Sequence, residues 1–173
     1  MGSIEFSNEG VLVKDVGDRV VKTVRNGDRQ LTGKWTPQQL VDREIRALTA
    51  LKDVAGIPRL LSRESPVSFS MSKIDGTNLT DSKTLVGREY FLRLRSLLKD
   101  IGDHGVYRFG QNRKDYLLQP DGSPGIIDFG NVCFADENPA LVQAARIWNL
   151  VRTADLERRL GQKTDQPLPA ILR

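Results

Sequence analysis

The stretch Gly125-Ile126-Ile127-Asp128-Phe129-Gly130 decides the fold of this chain, because it follows a strong hairpin signal. Pro120-Asp121-Gly122-Ser123 has the residues of a tight turn, and Tyr116-Leu117-Leu118 supplies an apolar strand before it. A hairpin holds the residue at its end rigidly, so the pattern predicts that Asp128 is presented from a fixed position.

Toward the N-terminus, a long helix is predicted before the hairpin and is closed by Gly102 and Gly105. Its apolar residues have helical spacing: Tyr90, Phe91, Leu94, Leu97, Leu98 and Ile101. Asp75-Gly76-Thr77-Asn78 is rich in turn formers and predicts a linker. We therefore expect two lobes, residues 1–76 and 77–173.

The first lobe is predicted to be rich in β-structure. Two strands, one with Val11 and Val13 and the other at 20–24, flank the turn Gly17-Asp18-Arg19, and the second strand carries Lys22. A polar loop is expected at 26–28. A further strand with one buried face is indicated by residues that alternate with serines, namely Val67, Phe69 and Met71.

Thr36-Pro37 predicts a helix start, with Thr36 as the N-cap, and the helix should run to about Lys52. Four residues share one stripe of this helix: Val41, Glu44, Leu48 and Leu51. An acid on an apolar stripe must find a buried cation or lie at a solvated lobe boundary. This marks Glu44 as a candidate functional residue.

Another helix is predicted from Asn138-Pro139 to Leu160, before Gly161. The order is then strands, a helix, a strand, a linker, a long helix, a hairpin and a last helix. Such an order favours an α+β fold with two lobes and a cleft between them.

The composition narrows the function classes. One cysteine, Cys133, excludes an internal disulfide, and together with the one histidine, His104, it is too little for a zinc site. The chain has a net charge of +4, which suits phosphates or an anionic membrane surface, so peripheral membrane contact stays open. Nucleic acid is disfavoured because the basic residues are scattered and lack interleaved aromatics.

No apolar run is long enough to span a bilayer, and residues 1–8 lack the features of a signal peptide. We therefore expect a cytoplasmic protein. Translocation by a route without a signal peptide is the alternative.

Lys22 on a strand, Glu44 on the next helix and Asp128-Phe129-Gly130 after a hairpin resemble the protein-kinase-like superfamily over roughly residues 10 to 160. The chain is most similar to small bacterial lipopolysaccharide kinases (Kdo and heptose kinases) and RIO-type kinases. Gly105-Val106-Tyr107 and residues 145–152 resemble the lipopolysaccharide kinases specifically. The resemblance implies a minimal bilobal α+β fold, with a small β-rich N-lobe containing one helix and a truncated, mostly helical C-lobe.

The resemblance also implies ATP and Mg²⁺ as cofactors. Lys22 would neutralise the α- and β-phosphates and Glu44 would fix its ammonium, while Asp128 would bind the Mg²⁺. A carboxylate suits this role because a hard cation prefers oxygen ligands.

Three further residues are implied in nucleotide binding. Gly10 supplies one glycine where the phosphate loop of protein kinases has three. Met71 and Lys73 lie at the end of the strand before the linker.

The catalytic loop departs from the H-R-D-x-x-x-x-N pattern of kinases. Asp115 occupies the Mg²⁺-binding Asn position, and Gly110 stands five residues earlier, where the catalytic Asp belongs. The triplet has become Arg108-Phe109-Gly110. Asp115 could bind a second Mg²⁺ and also accept the substrate proton; Asp103 is a weaker candidate base.

Three functions stay open at this point. The first is an ATP-dependent phosphotransferase with a rearranged catalytic loop, whose acceptor is a small molecule, a lipid-linked sugar such as lipopolysaccharide, or a protein. The second is a pseudokinase that binds nucleotide as a regulatory or interaction module without turnover, and the third is a basic interaction module. Loss of a general base costs about 10²–10⁴-fold in rate, so Gly110 favours the second function without excluding the first.

Overall fold

Strands dominate the first half of the computed structural model, which describes residues 4–8, 10–30, 33–80, 86–109 and 112–161. The elements are, in order, β1 (Ile4–Asn8), β2 (Val11–Val16), β3 (Arg19–Val24), β4 (Asp28–Gln30), β5 (Gly33–Trp35), α1 (Pro37–Ala50), β6 (Leu60–Ser65) and β7 (Ser68–Ser72). Five of the strands form one antiparallel sheet in the order β1-β2-β3-β7-β6. The loop predicted at 26–28 leads instead into the short hairpin of β4 and β5.

Strand β7 is buried on both faces, so the prediction of one buried face was wrong. Ser68 and Ser70 are buried along with Phe69. Their hydroxyls hydrogen-bond to neighbouring strands: Ser68 Oγ is 2.9 Å from Thr23 Oγ1, and Ser70 Oγ is 2.8 Å from Ser62 Oγ. These bonds satisfy the serines and make their burial acceptable.

The second half consists of β8 (Thr77–Asn78), α2 (Arg88–Asp103), β9 (Val106–Arg108), a 3₁₀ turn (Arg113–Asp115), β10 (Tyr116–Leu118), β11 (Pro124–Ile126), β12 (Val132–Phe134) and α3 (Pro139–Leu160). The predicted hairpin is β10–β11, and β9 pairs with β12. Gly105, with φ +73°, follows the end of α2.

The predicted linker at 75–78 is partly a strand, because β8 pairs with β10. Gly76 makes this close approach feasible: a Cβ at this position would lie 2.9 Å from the carbonyl oxygen of Leu118. Turn-forming residue types concealed the strand from sequence-based prediction.

Helix α1 begins as predicted. Thr36 Oγ1 accepts a hydrogen bond from the backbone N–H of Gln39, and the Gln39 side chain accepts one from the N–H of Thr36. This reciprocal capping satisfies two backbone donors that a helix start leaves free. The helix ends at Ala50, two residues earlier than expected.

One hydrophobic core joins the two halves. It includes residues of α1, β7, α2, β10 and the segment after β11, for example Leu48, Phe69, Phe91, Tyr116 and Phe129. The stripe of α1 points into this core and carries Glu44 with it, at 2% exposure. Within the described residues, no helix is long and apolar enough to cross a membrane.

Candidate active site

Three charged side chains from distant parts of the sequence meet where the two halves join. Lys22 of β3 places its Nζ 2.9 Å from Oε1 and 2.8 Å from Oε2 of Glu44 on α1. The same ammonium lies 2.8 Å from Oδ1 of Asp128, which follows β11. The sequence prediction thus named three residues that the fold brings into direct contact.

The three groups differ in exposure. The side chains of Lys22 and Glu44 are 8% and 2% exposed, whereas that of Asp128 is 50% exposed. Because two carboxylates contact one ammonium, the three groups carry a net negative charge. The carboxylate that faces solvent is that of Asp128.

Mutual electrostatics fix the charge states. Burial alone would lower the pKa of Lys22, but the carboxylates of Asp128 and Glu44 more than offset it and raise this pKa above its usual value. The Lys22 ammonium holds the pKa of Asp128 well below its usual range. Burial raises the pKa of Glu44, against the opposing effect of Lys22.

The backbone around Asp128 is held in an unusual conformation. Asp128 has φ +70°, which is the left-handed region that non-glycine residues rarely adopt. The N–H of Phe129 donates to Glu44 Oε1 at 3.1 Å, and the N–H of Gly130 donates to Asp128 Oδ1 at 3.1 Å. Glu44 therefore ties both Lys22 and the Asp128-Phe129-Gly130 segment to α1.

Gly130 leaves room for the charged cluster. A Cβ at this position would lie 3.3 Å from Asp128 Oδ1, 3.5 Å from Glu44 Oε2 and 3.8 Å from Lys22 Nζ. A Cβ here would be tight against Asp128 Oδ1 and in ordinary van der Waals contact with the other two groups, so glycine mainly relieves the contact with Asp128.

Arg108 is the main residue that sequence reasoning missed. It is 2% exposed and donates from Nε and Nη2 to the carbonyl oxygen of Asp128 (3.1 and 2.8 Å) and from Nη2 to that of Ile127 (3.1 Å). Its guanidinium also lies 5.1 Å from the ring centroid of Phe129. Arg108, which departs from the usual order of the kinase catalytic triplet, therefore holds the backbone that carries Asp128.

Asp115 is also buried, at 4% exposure. Its Oδ2 accepts a hydrogen bond from the N–H of Asn112 at 2.9 Å and lies 3.6 Å from Nη2 of Arg108. Burial raises the pKa of Asp115 to about 6, although Arg108 opposes this increase. Arg108 thus links the carboxylate of Asp115 to the backbone of Asp128.

Two arginines anchor α1 against the segment between β12 and α3. Arg43 forms a two-pronged ion pair with Glu137 (2.6 and 3.0 Å) and donates to the carbonyl oxygen of Val132 at 2.6 Å. Arg46 pairs with Asp136 at 2.7 Å. Because Arg43 is adjacent to Glu44, this contact fixes the part of α1 that carries the buried acid.

The other predicted residues lie outside this cluster's contacts. Gly10 is in the β1–β2 turn, where its carbonyl oxygen accepts from the N–H of Arg25 at 2.7 Å. Met71 is buried in β7. Lys73 pairs with Asp15 at 2.6 Å, and its N–H donates to the carbonyl of Asp18.

Gly110, the position of the expected catalytic base, lies outside the described residues. Asp103, the weaker candidate, ends α2 on the surface and pairs with Lys99.

No protein-family profile and no curated protein sequence matches the chain. Solved structures match its fold. The Rio2 kinase from Chaetomium thermophilum has a TM-score of 0.72 at 18% identity, over 97% of this chain and 60% of that chain. Its ADP/Mg²⁺-phosphoaspartate complex gives 0.67 at 18% identity, over 96% and 58%.

WbdD, a bifunctional kinase-methyltransferase, matches with a TM-score of 0.60 at 19% identity, over 88% of this chain and 37% of that chain. The chain therefore spans less than two thirds of these proteins. At such identities the likeness establishes the fold, which is protein-kinase-like and resembles those of the RIO kinase and the WbdD kinase. The fold class expected from the sequence is confirmed.

Proposed function

We propose that the chain is an ATP- and Mg²⁺-dependent phosphotransferase with an atypical catalytic loop. The observation that carries this proposal is the contact of Lys22 with both Glu44 and Asp128. In this assignment Lys22 binds the α- and β-phosphates, Glu44 holds Lys22 in place, and Asp128 binds the metal. The ADP and Mg²⁺ in one Rio2 structure support the same pair of cofactors here.

The residues present fit Mg²⁺. The ion is usually bound by one or two carboxylates together with substrate phosphates and water, so it needs no cage of protein ligands. Among the described residues no group of three or more His, Cys, Asp or Glu forms such a cage. Asp128 is half exposed, is ionised because its pKa is far below neutral, and is held on a fixed backbone. When bound, the metal would neutralise charge on the β- and γ-phosphates.

We assign Asp115 the role of the missing base and, second, of a ligand to a further Mg²⁺. A pKa of about 6 is near the value that suits a proton acceptor at neutral pH. The Arg108 guanidinium 3.6 Å away favours the ionised form of Asp115, which is the form that can accept a proton. Gly10, Met71 and Lys73 are the proposed nucleotide contacts of the N-terminal half.

The second candidate function is a nucleotide-binding pseudokinase. It is favoured by glycine at position 110, where kinases carry their catalytic Asp. The acceptor of the first candidate is a small molecule, a lipid-linked sugar or a protein, and a cytoplasmic location is proposed for both.

Turnover of γ-labelled ATP by the full chain separates the two candidates. We expect slow phosphate release that Lys22→Met and Asp128→Asn each abolish. Lys99→Met is the matched control, because Lys99 is a 73% exposed surface lysine in an ion pair. Nucleotide binding without turnover would favour the pseudokinase, and absence of Mg²⁺-dependent ATP binding would refute both.

A further inference from the structure

A basic pocket lies beside the segment that leads into Asp115. It has a volume of about 510 Å³ and is lined by Thr80, Asn112, Arg113, Lys114, Arg152 and Arg159. Four of these six residues are cationic, and none is acidic. The volume falls within the roughly 300–1,000 Å³ of small-molecule sites, and the pocket is a shallow groove that opens widely to solvent.

The positive charge of the pocket is only partly neutralised. On the α3 wall, Asp155 is shared by three guanidiniums, those of Arg152 (3.3 Å), Arg158 (2.9 Å) and Arg159 (2.8 Å). Among the described residues, Asp155 is the only carboxylate paired with Arg158 or Arg159, so the part of α3 that carries Arg159 keeps an excess of positive charge.

The opposite wall has no ion-paired acid in the described part of the chain, although Lys114 also acts at longer range on the charge of the adjacent Asp115. Within that part of the chain, no carboxylate lies in ion-pair distance of Arg113 or Lys114, which precede Asp115 in the 3₁₀ turn. Asp115 itself accepts from the N–H of Asn112 and faces Arg108. The two walls therefore present cations that can both act on one anionic group.

Both walls rest on buried structure. The 3₁₀ turn is fixed by Asp115, which is 4% exposed, and α3 is fixed by the buried Thr153 and Leu156. The backbone that carries these cations is therefore held in place, and phosphate or carboxylate can accept two parallel hydrogen bonds from one guanidinium.

We propose that this pocket binds the phosphate or carboxylate group of a small-molecule phosphate acceptor. The inference rests on the proposed phosphotransferase function and names its substrate class. The position of the pocket supports the acceptor rather than ATP: its lining comes from the second half of the chain and includes Lys114, the residue before Asp115, the proposed base. Lys22 and Glu44, which are assigned to the nucleotide, come from the first half.

Calorimetric titration with glucose 6-phosphate, glucuronate and glucose tests the pocket, because these probes share a sugar ring and differ in charge. The pocket variant is Lys114→Ala/Arg159→Ala, with one cation removed from each wall. The control is Arg93→Ala/Lys99→Ala, which removes two exposed cations from α2. Removing two partly exposed charge contacts should weaken binding of the charged probe roughly tenfold.

We expect a charged sugar to bind wild type and the control equally, and to bind the pocket variant roughly tenfold more weakly. Glucose should not bind any of the three proteins. Preference for glucose 6-phosphate identifies phosphate as the recognised group, and preference for glucuronate identifies carboxylate. Equal losses in both double variants, or no difference between charged and neutral sugars, would overturn the proposal.

Lys22→Met separates this inference from the proposed function. Charged-sugar binding should persist in Lys22→Met, while Mg-ATP binding is lost. If ATP displaces the sugar from Lys22→Met, the pocket is a nucleotide subsite and the acceptor assignment is wrong. If the sugar binds as expected but wild type never binds or turns over ATP, the phosphotransferase proposal fails while the anion site stands.

Discussion

Replacing Arg108 by methionine tests whether this residue supports the candidate active site. Methionine keeps an unbranched side chain of comparable length but has no hydrogen-bond donor. The change removes the three hydrogen bonds of 2.8–3.1 Å that reach the carbonyl oxygens of Ile127 and Asp128. It also leaves the buried Asp115 carboxylate without the guanidinium 3.6 Å away.

The expected loss of stability follows from these contacts. Three hydrogen bonds contribute about 1 kcal/mol each, and an unpaired buried acid adds to the cost. Arg108 Nη1 is a buried donor that has no hydrogen-bond partner in the described structure, so its removal offsets part of this loss of stability. We expect a decrease of about 2–4 kcal/mol in the free energy of unfolding, or about 5–15 °C in Tm.

The assay is thermal and urea unfolding of wild type, Arg108→Met and the control Arg93→Met, whose arginine is 49% exposed. The control should change the free energy of unfolding by less than about 0.5 kcal/mol. A carbon NMR titration of the Asp115 carboxyl provides a second readout, because Arg108 lowers its pKa. A Tm change no larger than that of the control, with an unchanged Asp115 pKa, would refute the support role.

A double-mutant cycle of Lys22→Ala and Glu44→Ala on nucleotide affinity should be non-additive, because Lys22→Ala leaves the buried Glu44 uncompensated and Glu44→Ala leaves Lys22 with Asp128 alone. Strict additivity would count against their acting as a unit. Mg-ATP should raise Tm, and EDTA or Asp128→Ala should remove the increase; an increase that survives both changes would exclude the assigned metal residue. The pKa of Asp115 is about 6 in the folded protein, against an ordinary value of 3.8. The protonated acid therefore favours the folded state, and about 3 kcal/mol of stability that is present at low pH is lost as the pH rises from about 4 to 6. Asp115→Asn should therefore flatten the pH dependence of unfolding measured in EDTA, whereas an unchanged profile would contradict the pKa assignment. Gly110→Asp should raise phosphoryl transfer by one or two factors of ten if Asp115 replaces the base only in part, and unchanged turnover together with loss of activity in Asp115→Ala would assign the whole role to Asp115.

The charged cluster could be predicted because two of its three members break or complete a local pattern. Glu44 is an acid on an apolar stripe, and Asp128 ends a hairpin with clear turn residues. Lys22 by itself has no such signal. It became a candidate only through the order of the three parts along the chain.

The supporting arginines could not be identified in the same way. Arg43 pairs with Glu137, 94 residues away, and such a contact leaves no periodic trace in the sequence. Arg108 did leave one signal, since it lies in the otherwise apolar run Val106-Tyr107-Arg108-Phe109. A cation in an apolar run must find buried partners, as an acid on an apolar stripe must.

The two acids that pair with Lys22 differ in exposure, and this difference constrains how the site can work. Glu44 is almost fully buried, so it can keep the ammonium in place whatever happens at the surface. Asp128 is half exposed and stays ionised at neutral pH, so its charge opposes the approach of a triphosphate to Lys22. A divalent cation on Asp128 would cancel that repulsion and free a donor of Lys22 for phosphate. Nucleotide and metal should therefore bind together, with affinity for ATP in EDTA far below affinity for Mg-ATP, and Glu44 rather than Asp128 should determine the position of Lys22.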